Sequence, residues 1–146
     1  MEILQIIITS LFATSAMTAF SYLASESFQE LWKEPVLLNI VTAKADVNLS
    51  PKAKSLFGWL VHYLFGLSFV IAYHILWSSQ AADPTWFCGL IFGILSGILG
   101  IIGWFFLFKI AGVKPKIKVQ QYYLQLFFAH IIFGLASVGV YKIFGS

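Results

Sequence analysis

Arginine is missing from this chain of 146 residues, cysteine occurs once, and aspartate and glutamate together number six. Each scarcity removes a class of protein. A single thiol, Cys88, can form neither an internal disulfide nor a cysteine-based metal framework. It reads as a small apolar residue inside the fold. Charged residues make up 10% of the chain, where an average globular domain has about 25%. No Gly-x-Ser-x-Gly, His-Glu-x-x-His or phosphate-cradling glycine loop occurs, so the sequence indicates no enzyme.

What is present is apolar. Sixty per cent of the residues are hydrophobic and the mean hydropathy is +0.87, which excludes an ordinary soluble domain. Four apolar runs, at 3–25, 56–77, 85–108 and 122–144, are each long enough to cross a bilayer core of about 30 Å. They leave one long loop and one shorter one. The fold class expected is an all-α integral membrane protein, a single four-helix transmembrane domain over residues 1–146.

The nine basic residues are all lysines, and their placement explains the net charge of +3 better than a nucleic-acid partner does. Lys33, Lys44, Lys52 and Lys54 lie between the first two runs, and Lys109, Lys114, Lys116 and Lys118 between the last two. With four spans both groups fall on one side. The positive-inside rule makes that side cytoplasmic and puts both termini outside, in a bacterial inner membrane. Trp32, Trp59, Trp77 and Trp86 near the run ends fit interfacial belts. The chain starts Met-Glu and its first run outlasts a signal-peptide core, so that run is read as a retained helix.

Helix punctuation is legible. Ser50 with Pro51, and Asp83 with Pro84, read as an N-cap followed by proline at the first helical position. Gly112 reads as a left-handed terminator with Pro115 just beyond. The first helix is expected to run on through "ESFQELWKE" and stop before Pro35. "EPVLLNIVTAK" then predicts a short helix with Val36, Leu37, Ile40 and Val41 on one side. It lies either on the cytoplasmic interface or against the bundle.

Two phrases repeat. "HYLFGLSFVIAY" begins at His62 and "HIIFGLASVGVY" at His130, an offset of 68 residues. Helical spacing puts His62, Gly66, Phe69 and Tyr73 on one face, and His130, Gly134, Ser137 and Tyr141 on the matching face. The other two spans share a stripe of small residues. Ser10, Thr14, Thr18 and Ser21 have the spacing of Gly89, Gly93, Gly97 and Gly100, at an offset of 79. The chain reads as two tandem parallel hairpin repeats, about 1–79 and 80–146, related by a pseudo-two-fold along the membrane normal. Small stripes let helix backbones approach in lipid, here either within the chain or in a homodimer.

The His-x-x-Phe-Gly-x-x-x-Gly-x-x-Tyr pattern is similar to helices of the YagU-like small bacterial inner-membrane proteins, which lack an established molecular function. "HIIFGLASVGVY" matches except that its second glycine, Gly139, stands one place late, and "HYLFGLSFVIAY" has Val70 and Ile71 at those two places. The resemblance implies topology and size and supplies no activity.

An ionisable residue inside a span is a functional candidate by default. His62 and His130 admit three readings. As structural residues they hydrogen-bond to Ser, Thr or carbonyl groups of a neighbouring helix. As ligands they hold a b-type haem between facing helices, with Gly66 and Gly134 making room for the porphyrin. As pore residues they constrict a path lined by the Ser/Thr stripe. Glu26 and Glu30, four residues apart, read as a solvated helix face beside Lys33. Tyr73 and Tyr141 fit interfacial anchors, and His74 sits near water. The expectation is a non-enzymatic binding, scaffold or small-solute transport component in the lipid bilayer. No cofactor is expected, haem b being the alternative, and a homo-oligomer is the expected assembly.

Overall fold

The computed structural model describes residues 2–44, 51–112 and 116–145. They form five helices: α1 (Glu2–Phe28), α2 (Glu34–Lys44), α3 (Pro51–Ser78), α4 (Trp86–Ile110) and α5 (Val119–Gly145). No strand occurs among the described residues. Four helices, over Glu2–Phe28, Leu56–Ser78, Trp86–Ile110 and Val119–Phe144, are long and apolar enough to cross a membrane. Their outward faces carry exposed large side chains such as Ile3, Leu23, Phe87, Phe105 and Ile143. Such faces suit lipid, where every backbone polar group must be satisfied within the helix. The chain has the build of a membrane protein.

The four long helices form an open arc rather than a closed ring. In order around it stand α3, α1, α5 and α4, with the closest packing between α4 and α5. The last and first members, α4 and α3, scarcely meet along their backbones. What joins them lies at the end away from the lysine-rich loops. There the Tyr73 hydroxyl donates to the Phe92 carbonyl at 3.0 Å and pairs with the Ser96 hydroxyl at 2.5 Å. Trp77 stacks on Phe92 with centroids 5.9 Å apart. His74 Nδ1 and the Tyr141 hydroxyl tie α3 to α5 at the same end. Tyr73 is therefore a buried tie and not an interfacial anchor.

The glycine stripe of α4 is spent on α5 of the same chain. A methyl group added at Gly93 would stand 2.7 Å from the His130 carbonyl oxygen, and one at Gly89 would stand 2.7 Å from Val138. On the facing helix, a methyl at Gly134 would collide with the Gly89 carbonyl and the Gly93 backbone. The small face of α1 is buried throughout, with Ser10, Thr14, Thr18 and Ser21 each 5% exposed or less.

Several boundaries differ from those expected. α1 stops at Phe28, because Gln29 takes a left-handed conformation (φ 52°) and turns the chain. Ser25 holds that turn: its hydroxyl donates to the Glu30 carbonyl and accepts the Trp32 N–H at 3.2 Å. Pro35 then stands in the first turn of α2 and starts a helix instead of stopping one. Glu26 and Glu30 accordingly share no helix face. They pair with Lys33 and Lys118 at 2.5 and 3.4 Å.

α2 has the bounds of the phrase that predicted it, and it packs on the bundle, chiefly against α3. Its buried face is Glu34, Leu37, Leu38 and Val41, with Ile40 exposed. Gly58 of α3 admits it, its N–H donating to Asn39 Oδ1 at 2.9 Å. The N-cap of α4 is Thr85 rather than Asp83, and its hydroxyl accepts the Cys88 N–H at 3.1 Å. Gly112 is left-handed (φ 61°) as expected, whereas Ser50 and Pro115 lie outside the described residues. Of the four tryptophans assigned to belts, Trp32 and Trp77 are buried in the fold.

The α4–α5 seam gives a direct test. Gly134→Ala must push two backbones apart and is expected to cost about 1–3 kcal/mol, the usual penalty of overpacking. Gly103→Ala, which meets nothing within 4 Å, is expected to leave stability unchanged or slightly raised. Thermal unfolding of the two variants in one detergent, followed by tryptophan fluorescence, separates them.

Candidate functional site

Between α3 and α4, at the lysine-rich end, the open side of the arc contains a cavity of about 150 Å³. α1 and α5 form its floor, α2 closes one end, and Phe65, Leu99, Gly103 and Leu107 stand at its mouth. The rest of the lining is mostly apolar, with Met17, Phe69, Trp104 and Phe133 prominent. Four polar side chains reach it: Thr14 from α1, Glu34 from α2, His62 from α3 and His130 from α5. The two sequence-predicted histidines thus share one cavity.

Their hydrogen bonds differ. The Thr18 hydroxyl donates its single hydrogen to the Thr14 carbonyl at 2.6 Å, as an i−4 back-bond. The 2.8 Å contact between Thr18 Oγ1 and His62 Nε2 then has the imidazole N–H as donor. In the neutral ring this leaves a lone pair on Nδ1. His130 is the other tautomer. Its Nδ1 lies 2.8 Å from the Leu126 carbonyl, which can only accept, so Nε2 keeps the lone pair. That nitrogen lies beside Gly100, 3.0 Å from where a Cβ would be. Phe69 meets the His130 ring edge-on at 5.8 Å.

The glycines that follow the histidines are filled by helices. A methyl on Gly66 would strike the Thr14 hydroxyl, and Gly134 is closed by Gly89 and Gly93. Neither leaves a slot for a porphyrin, and the cavity falls below the ~300–1,000 Å³ usual for drug-sized ligands. These residues do not fit a haem. The Ser/Thr stripe likewise does not form a lined path, since only Thr14 of its four members borders the cavity. Thr18 serves His62, and Ser21 serves Glu34. Among the described residues no three His, Cys, Asp or Glu side chains converge as a metal site.

Glu34 was not singled out in the sequence. It is 1% exposed, and a chain of donors reaches one carboxyl oxygen. Gln125 Nε2 donates to the Ser21 hydroxyl at 2.6 Å, which donates to Glu34 Oε1 at 2.7 Å. These bonds join α5, α1 and α2. The second oxygen, Oε2, is buried without a partner. Lys33 and Lys118 are turned to Glu26 and Glu30. A signal was present: Glu34 shares the 3–4–7 spacing of Leu37, Leu38 and Val41, which puts a carboxyl on the apolar face of α2. Trp104 and Gly103 also escaped notice, because nothing in their spacing marks a cavity wall.

Compared with known proteins, the chain matches no family model, no curated protein and no solved structure closely enough to show relatedness. Fold and site together define a class and no more: an all-helical chain with four helices long and apolar enough to cross a membrane, and a small, mostly apolar cavity between two of them.

Burial pushes the Glu34 carboxyl from its ordinary 4.5 up to about 7, against the pull of its hydrogen bonds. Tyr22 and Tyr122 are the titratable groups that couple to it from α1 and α5. The folded chain therefore keeps a proton that the unfolded chain releases between the two values. Stability should fall as pH rises through that window, by about 3 kcal/mol in all, and level off above it. Melting midpoints across roughly pH 5 to 8 check this. Glu34→Gln should flatten the slope.

Proposed function

We propose that this protein is a bacterial inner-membrane binding protein that takes a small, largely apolar molecule out of the bilayer through the gap between α3 and α4. The observation that carries the proposal is the position of the cavity. It is mostly apolar, it holds the two repeat histidines, and its mouth is made of side chains on the outward side of the helices. A small set of polar groups in an apolar, preformed hollow is the usual make-up of a ligand site. The lysine distribution supports an orientation with the cavity in the cytoplasmic half and both termini outside. The reading is binding rather than catalysis, because the polar groups include no nucleophile with a base beside it.

The tandem-hairpin reading has geometric support as well. Gly66 rests on Thr14 and Gly134 on Gly93, and these are matching positions under the offsets of 68 and 79. In one half the small residue carries a hydroxyl and in the other it is glycine. Duplication followed by divergence of that pair explains why one half packs tightly and the other borders a cavity.

A benzene-sized photoreactive diazirine, activated in membranes containing the protein, tests the proposal. Adducts mapped by mass spectrometry should concentrate on Phe65, Leu99, Trp104 and Leu107 and disappear from them in Gly103→Leu. Labelling spread evenly over the outward faces of all four helices would refute it.

A further inference from the structure

The chemistry of the cavity is one-sided. Its fully buried side-chain oxygens without a partner are the Glu34 Oε2 and the Thr14 hydroxyl, and both residues line the wall beside the Trp104 indole. His130 Nε2 and His62 Nδ1 have lone pairs left by their tautomers. Three of these four atoms accept when Glu34 is ionised, and the fourth is a hydroxyl that can do so. No cationic side chain lines the cavity among the described residues. A buried carboxyl lacking a counter-ion is among the costliest groups to leave alone in a fold.

We propose that the ligand of this cavity is an organic ammonium ion with an apolar body, for which Glu34 is the counter-ion and His130 and Thr14 are further acceptors. The inference rests on the cavity being a ligand site and adds the class of ligand. A primary ammonium has three donors and no acceptor, which is the complement of this wall. Phe69, Phe133 and Trp104 add aromatic surface of the kind that attracts cations. A cavity of this size is known to hold a benzene ring, and the mouth between α3 and α4 leaves room for a longer tail to lie in lipid.

Other classes fit less well. An anion would meet the carboxylate. A quinone or other carbonyl ligand needs donors, and with Glu34 ionised the uncommitted ones are the Thr14 hydroxyl and the Trp104 indole N–H, against three acceptors. A bare metal ion would find too few convergent ligands and a wall otherwise of Leu, Met and aromatic carbon. Glu34 also sits where binding would be felt at a distance. Its other oxygen joins Ser21 and Gln125, so an occupied cavity would draw on the bonds that dock α2 to α1 and α5.

Three probes of one shape separate the possibilities: 4-(trifluoromethyl)benzylamine, the corresponding benzyl alcohol and the corresponding benzoate. Each is titrated by fluorine NMR into the full chain in zwitterionic nanodiscs at about pH 8, where an amine of this kind remains charged. Empty nanodiscs correct for partitioning into lipid. The amine should show saturable binding at least tenfold tighter than the alcohol, and the benzoate none. Glu34→Gln keeps an acceptor for Ser21 and should weaken the amine at least tenfold while leaving the alcohol unchanged. If amine and alcohol bind the unaltered chain alike, and Gly103→Leu abolishes both, the ammonium inference fails while the cavity stands as a ligand site. If no probe binds saturably, both fail. The comparison of probes on the unaltered chain decides the matter even where a variant does not fold.

Discussion

The contact on which the architecture depends is the backbone-to-backbone approach of α4 and α5. Gly89, Gly93 and Gly134 remove the side chains that would hold the two helices apart. In lipid, where hydrophobic burial gives helices no reason to associate, such packing is a main source of attraction. Once α4 is committed to α5, and α5 to α1, α3 leans on α1, on the short α2 and on the aromatic ties at one end. Tyr73, Trp77 and His74 close that end. The opposite end of the α3–α4 gap stays apart, and the cavity occupies it.

The two histidines play different parts in this arrangement although their phrases are nearly the same. His62 is a cross-helix bond to Thr18, one of the polar contacts that hold α3 to α1. His130 turns back to its own helix at Leu126, and its ring covers Gly100. The difference follows from the facing residue. Where α1 offers hydroxyls, α4 offers glycine, so the second imidazole finds no side-chain partner across the seam and bonds to the carbonyl one turn back.

Much of this was legible in the sequence. The four long helices lie within a few residues of the apolar runs that predicted them, because runs of this length and composition leave the backbone few alternatives. The bounds of α2 were legible, and so were the inward faces of His62, Gly66, His130 and Gly134. What was hidden depended on contacts between distant segments. Gln29 adopts a left-handed turn without a glycine to announce it, since Ser25 and the return of α2 hold it there. Trp32 and Trp77 sit near span ends, and only the packing of α2 and of α5 shows that they are buried. Glu34 was marked in the sequence by its spacing alone. It is the carboxyl that docks the short helix, and its placement needs Ser21 and Gln125 from two other spans.

The proposed route into the cavity requires the α3–α4 gap to be open to lipid at the lysine-rich end. A nitroxide attached at Gly103→Cys in a Cys88→Ser background, in the chain reconstituted into bilayers, reports on it through collisions with oxygen and with a water-soluble nickel chelate. Frequent collisions with oxygen and few with nickel are expected, as at a lipid-facing site. Shielding from both reagents would mean that another element covers the gap. Ready access for nickel would mean a water-filled path, and either result would contradict a cavity that fills from the bilayer.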